Sequence, residues 1–318
     1  MRTAIPLTVL VTGLACSLFT ASAQARARVF VASYGNDSNP CTFGSPCKTF
    51  QNAVNVVDPG GEVTAIDSAG FGPVTINKAV SITSPPGLEA GIFAGGGTGI
   101  GISINVDIGV PISLRGLTID GQGTGTTGIQ FDAGGSLIVE NCVIHHFTTY
   151  GINFAPNNGN AASRLSVSNS LVSDMDNDGI HITPNGSSGP VTALFNRVQA
   201  SNNGRYGIVM DGTTSTSTIS ATAVDTLASG NFSAGFFAVA SSAQAPTTLT
   251  LFNSVAADNG AGLLVGNSGA AIRVAHSVLT GNTSGWSTPF GGTVSSAGDN
   301  TIEGNTNSET APPTYATK

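Results

Sequence analysis

Tyr150-Gly151-Ile152-Asn153-Phe154 recurs as Asp178-Gly179-Ile180-His181-Ile182, Tyr206-Gly207-Ile208-Val209-Met210 and Ala234-Gly235-Phe236-Phe237-Ala238. The glycines of these four strings are evenly spaced, each one full period after the last. Gly followed by two apolar residues around a variable one also occurs at Gly101, Gly128, Gly262 and, more faintly, Gly292. A repeat with a period of about 27 residues decides the architecture before any catalytic motif is consulted.

A unit of three short strands and three turns cannot bury its own apolar face. Stacked about 4.8 Å apart, such units bury a continuous interior and pair every strand with its neighbours. The period therefore predicts an all-β solenoid, a parallel β-helix of about 27 residues per coil. Its inner columns include Ile129, Ile152, Ile180, Ile208, Phe236 and Leu263. An Asn recurs at Asn141, Asn169, Asn196 and Asn253, and the expectation is an interior ladder of amides along the stack. Leucine-rich repeats are excluded by the lack of a Leu consensus. Calcium-binding nonapeptide arrays are excluded by the lack of their glycine-aspartate strings.

Composition agrees. Of 318 residues, 42 are Gly and only 9% are charged, so long solvent-facing helices have too little Glu, Lys and Arg to draw on. The net charge is −7, with 11 Lys plus Arg spread thinly. Nucleic acid is thus an unfavourable partner, as is an anionic membrane.

Residues 1–23 read as a secretory signal: Arg2, the apolar run Ile5 to Phe19, then Ala21-Ser22-Ala23 as a cleavage site. No later stretch is long and apolar enough to span a membrane. Export makes a Cys41–Cys47 disulfide the expectation, because Gly44 and Pro46 let the short loop between them fold back. Cys142 falls in a strand-like run and reads as a buried free thiol. Residues 24–61 hold a strand at Arg28 to Ser33 and a short capping helix within Lys48 to Val57, where Phe50, Ala53, Val54 and Val57 keep helical spacing. Residues 62–304 form the solenoid. Residues 305–318 are expected to be a flexible polar tail.

The run Val31-Ala-Ser-Tyr-Gly-Asn-Asp-Ser-Asn-Pro-Cys-Thr-Phe-Gly-Ser-Pro-Cys-Lys-Thr-Phe-Gln-Asn-Ala-Val54, placed before this repeat, resembles the lead-in segment of secreted pectin-lyase-like proteins. There a strand, a G-x-D-x-N-P turn and a K-T-[IF]-Q-x-A-[VI] helix cap the open end of a right-handed parallel β-helix. The resemblance covers roughly residues 28 to 305. It implies a protein that binds, and in enzymatic members cleaves or modifies, an extracellular polysaccharide. The superfamily also holds adhesins and inert members, so a non-catalytic structural or adhesive surface protein is the alternative. The polygalacturonase-type N-T-D, D-D, G-H-G and R-I-K strings are missing, as is the W-x-D-H string of pectate lyases.

Residues at one offset from the repeating Gly become neighbours on successive coils. This offset arithmetic gathers Tyr150, Asp176, Asp178, His181, Arg205 and Tyr206, with Asn153 and Asp211 beside them. Asp176, Asp178, His181 and Arg205 are the catalytic candidates. Tyr150, Asn153, Tyr206 and Asp211 are the candidate glycan-binding residues. A uronan lyase needs a group to neutralise the carboxylate and a base for the C5 proton. Arg205 or calcium fits the first role, and His181, Tyr150 or Tyr206 the second. A glycosidase needs two carboxylates, for which Asp178 with Asp176 or Asp211 is available. Such residues also make ordinary solvated turns. Asp174-Met-Asp176-Asn-Asp178-Gly179 resembles the opening of a calcium loop, but the twelfth position is Asn185 rather than an acid. No resident cofactor or protein-ligated metal is expected, with calcium left open. The expected partner is a polysaccharide or cell-surface glycan, and the expected state a monomer.

Overall fold

The computed structural model describes residues 26–96, 99–307 and 310–315. The expected signal segment lies outside the described residues. Three parallel sheets of 11, 9 and 10 strands run the length of the molecule. Successive strands of the chain visit the three sheets in turn, so each sheet's neighbours in space are one coil apart in sequence. This is a parallel β-helix. Among the described residues, its one helix is Phe50–Val56, and no helix there is long and apolar enough to cross a membrane.

The glycine column explains the repeat. A Cβ on Gly151 would lie 2.7 Å from the Gly179 carbonyl oxygen, one on Gly179 2.6 Å from that of Gly207, and one on Gly207 2.6 Å from that of Gly235. Consecutive coils approach too closely here for any side chain. The column ends at Gly285, whose carbonyl oxygen would stand 2.5 Å from a Cβ on Gly262. Gly292 is not its last member. The final coils are shorter than those before them, and Ser284 pairs with Ala261, so the longer interval to Gly292 overshoots.

The inner columns are as the spacing predicts: Ile129, Ile152, Ile180, Ile208, Phe236 and Leu263 are in register and fully buried. Phe131 and Phe154 stack beside them with ring centroids 4.4 Å apart.

The amide ladder is real but consists of other residues. Asn141, Asn169 and Asn253 have φ of 53°, 49° and 49°, and Arg197, Asp225 and His276 take the same left-handed conformation on their coils. They turn the chain from the first sheet to the third, with Asn141 and Asn253 out in solvent. Asn and Asp tolerate this backbone better than other side chains, which is why they recur. Asn196 falls one residue short of the turn and ends a strand.

The buried ladder is Asn203, Asn231, Asn259, Asn282 and Asn305. Each side chain donates to the next Oδ1 at 2.8 to 3.0 Å, and each Oδ1 also accepts the backbone N–H of the Asn before it. A second ladder joins Thr226, Ser254, Ser277 and Asn300, each backbone N–H bonding the next side-chain oxygen. Cys142 and Ser170 make the same contact earlier. Cys142 is a free, buried thiol whose pKa burial pushes up to about 11.

At the N-terminal end, Thr49 caps the helix by accepting from the Asn52 N–H at 3.2 Å. Asp37 fastens it by accepting from the Lys48 and Thr49 N–H groups. Phe50, Ala53 and Val54 close the core, and Cys41 and Cys47 form the expected disulfide. The lead-in strand Arg28–Val31 already pairs with Gly61–Ala65 and so opens the first sheet. At the other end, where the composition leads to a loose tail, Asn305 closes the ladder and Ser296 pairs with Thr314. Trp286 donates to the Thr310 carbonyl at 2.7 Å. Backbone pairing and one indole give this polar segment partners that composition does not foretell.

The two kinds of Asn are separable by experiment. Asn231→Ala orphans the Asn203 amide and backbone N–H in the interior and is expected to cost about 3 kcal/mol or more. Asn253→Ala disturbs only a left-handed turn and is expected to cost about 1 kcal/mol. Urea unfolding of both variants checks the order.

Candidate functional site

The site lies on the outer face of the nine-stranded sheet. Its strands Thr127–Ala133, Tyr150–Phe154, Asp178–Ile182, Tyr206–Gly212, Ala234–Ala240 and Ala261–Gly266 are adjacent and parallel. Register places Gln130, Asn153, His181, Val209, Phe237 and Leu264 in one outward column. Three polar positions thus lead into three apolar ones.

Asp178 is fully buried although it starts a strand. Its Oδ2 lies 2.7 Å from His181 Nδ1. A carboxylate accepts, so Nδ1 is the ring nitrogen that donates to Asp178, and Nε2 is left to the side of the ring away from that bond. His181 Nε2 is 3.9 Å from Asp211 Oδ2, one coil on. Asp211 is held by Thr213, whose backbone N–H donates to its Oδ1 at 2.9 Å and whose hydroxyl donates to the same atom. The two carboxylates therefore flank one imidazole.

Tyr150 packs edge-on against His181, with ring centroids 4.9 Å apart. Burial first, then the charges of Asp178 and Asp211, raise its pKa above the ordinary value of 10.0. Arg205 works in the opposite direction. The phenol thus holds its proton through neutral pH. Arg205 lies with its guanidinium carbon 4.6 Å from the centre of the Tyr206 ring, a cation–π contact. Tyr206 in turn meets Phe237 at 4.7 Å. Beyond it Phe237, Val239, Leu264 and Phe290 line a hollow of about 330 Å³. On the other side Asn153 donates to Gln130 at 2.9 Å, and Gln130 donates to Asp132 at 2.6 Å.

Of the candidates chosen by offset, Tyr150, Asp178, His181 and Asp211 form one cluster. Arg205 and Tyr206 form a stacked pair on the neighbouring coil, and Asn153 adjoins His181 in register. Asp176 stands apart. It is exposed, and its carboxylate makes no hydrogen bond or ion pair among the described residues. The turn before the strand breaks the alternation, so Asp178 is covered beside His181 while Asp176 faces solvent. Asp174, which opens the calcium-like run, instead accepts the Ser173 hydroxyl at 2.7 Å. The three carboxylates of that run do not share a centre. Offset counting passes over the apolar half of the face. Val209 and Phe237 carry its signal in sequence, because they occupy the His181 column, but Phe290 falls in no repeat frame.

A family model described as a right handed beta helix region matches residues 82–224. Among solved structures, a pectate lyase, Pel9A, superposes with a TM-score of 0.64 at 16% identity, covering 91% of this chain and 78% of that one. The chain folds as a right-handed parallel β-helix. XylC in complex with xylose gives a TM-score of 0.63 at 9% identity, over 84% of this chain and 68% of that one. The A-module of the mannuronan C-5 epimerase AlgE4 of Azotobacter vinelandii gives 0.54 at 12% identity, over 92% of this chain and 89% of the module. No curated protein sequence matches. At such identities the likeness is one of fold.

Removing the Asp178 charge should lower the Tyr150 pKa. In Asp178→Asn, ultraviolet titration is expected to show one tyrosine, absent from Tyr150→Phe, ionising at lower pH than in the parent protein. Because the folded pKa is raised, the unfolded chain loses this proton first as pH climbs. The parent's stability should therefore fall with rising pH from about pH 10 upward, and Tyr150→Phe should abolish that part of the loss.

Proposed function

We propose that the protein is a secreted, carbohydrate-acting β-helix protein that takes a uronic-acid-containing polysaccharide along the outer face of the nine-stranded sheet. In this reading it removes the C5 proton of a uronate residue. The observation that carries the reading is the fully buried Asp178 bonded to His181 Nδ1, which fixes the imidazole edge-on beside the Tyr150 phenol, itself held protonated by burial and the nearby carboxylates.

A carboxylate-oriented imidazole is a general base whose tautomer is fixed. His181 Nε2 takes the C5 proton, and Arg205 neutralises the uronate carboxylate so that charge can develop at C5. The C4–O bond then breaks, its electrons leave with the oxygen, and a C4–C5 double bond forms. Tyr150, held protonated, gives its proton to the leaving oxygen. Tyr206, Phe237 and Leu264 offer apolar surface to the faces of neighbouring sugar rings. Hydrolysis fits less well. It needs two reachable carboxyl groups, whereas Asp178 is buried behind His181 and Asp176 stands apart, which leaves Asp211 alone. Calcium as an additional neutraliser of the uronate is compatible with this scheme and is tested by adding it.

A non-catalytic adhesive role is the second reading. It is favoured by the open setting: the short, equal coils around Gly151, Gly179 and Gly207 leave no room for long loops that would wall the polymer in. The fold and the Cys41–Cys47 disulfide are compatible with life outside the cell.

Purified protein is to be incubated with pectate, alginate and other polyuronates, with and without calcium, while ultraviolet absorbance follows the unsaturated product. Turnover is expected, reduced by about 10² to 10⁴ in His181→Ala. Arg205→Ala is expected mainly to raise KM. Binding without turnover would move the protein to the adhesive reading. Neither binding nor turnover on any glycan would sink both.

A further inference from the structure

Asp120, His145 and His146 lie on the ten-stranded sheet, away from the proposed glycan face. Asp120 ends the strand Leu117–Asp120, and His145 ends Val143–His145 one coil later. Register sets these two directly side by side. His146 follows in the left-handed conformation, φ 58°, which swings its ring back toward its neighbour. The two imidazoles stand with centroids 4.3 Å apart. His146 Nδ1 is 3.2 Å from Asp120 Oδ1. One nitrogen from each ring and one carboxylate oxygen all fall within 4.8 Å of one another.

We infer that Asp120, His145 and His146 form a site for a divalent transition metal, of which zinc is the type. Ligand bonds of about 2.0–2.2 Å place two tetrahedral donors roughly 3.4 Å apart. The donors, all within 4.8 Å of one another, reach that spacing by side-chain rotation of the exposed His146 and the part-exposed His145 and Asp120. Two imidazoles and one carboxylate suit zinc, cobalt, nickel or copper, and not calcium or magnesium, which want six or more oxygens. Three protein ligands leave at least one position for water. The backbone is already committed to the geometry. Equivalent turns on later coils use Asp174, Asn202, Gly230 and Asp258, with φ of 61°, 57°, 65° and 57°, whereas this coil alone offers a second imidazole there. The metal would tie one coil to the next across the register pair, so it would stabilise the folded chain by mass action. His276 and Asp299 make a similar 3.2 Å pair without a second imidazole and supply the control.

The test is calorimetric titration of the purified, metal-free full chain with zinc chloride, paired with the visible spectrum on cobalt(II) addition. One ion per chain is expected, with a cobalt band of nitrogen and oxygen ligation and a raised Tm. His145→Ala and His146→Ala should each weaken binding by about tenfold or more, and His276→Ala should leave it unchanged. No heat with zinc, or binding that survives both His145→Ala and His146→Ala, would overturn the assignment. So would binding lost in His181→Ala but kept in His145→Ala. If His145→Ala is poorly folded, the histidine ring resonances of the parent protein decide: zinc must shift those of His145 and His146 and spare His276.

Discussion

At the glycine column, one residue's carbonyl oxygen occupies the space that a Cβ on the coil before would need. From Gly101 to Gly285 that contact disfavours any side chain, and so it fixes the register of these coils to one another. With register locked, side chains one period apart become lateral neighbours. The alternation of strands then decides which face each one meets. The polar cluster around His181 follows from that single steric constraint.

Inside the stack, apolar columns and amide or hydroxyl ladders divide the work. The apolar columns supply burial but little specificity, since any large hydrophobe slides past another. The Asn and Ser/Thr ladders answer the backbone groups that the turns leave buried, and each bond exists at only one registration of the coils. Their placement toward the C-terminal half coincides with the smaller interior residues, Ala221, Ala223, Ala228 and Ala238. There directional bonds offset thinner apolar packing.

The period, the glycine column, the inner isoleucines, the capping helix and the disulfide are all legible in the sequence, because each is set by spacing or by local chemistry. Facing is legible only within strands. At turns a left-handed residue breaks the alternation, and counting then misassigns direction. Asn141 and Asn253 read as ladder members yet serve as turns, while Asn203, Asn231 and Asn259, which keep the same period, make the ladder. Counting groups Asp176 with Asp178 for the same reason. The meeting of Asp120 with His145 and His146 depends on the shorter coil between them and on the backbone of His146, neither of which composition reveals.

What sets this surface apart from a merely polar one is the direction of a single proton. A buried carboxylate holds the His181 ring by Nδ1 and leaves Nε2 on the side of Asp211, 3.9 Å from its carboxylate. Nitrogen-15 NMR of the histidine side chains at neutral pH measures this directly. The ring assigned by His181→Ala is expected to carry a proton on Nδ1, donated to Asp178. A His181 ring whose Nδ1 is bare would contradict this arrangement.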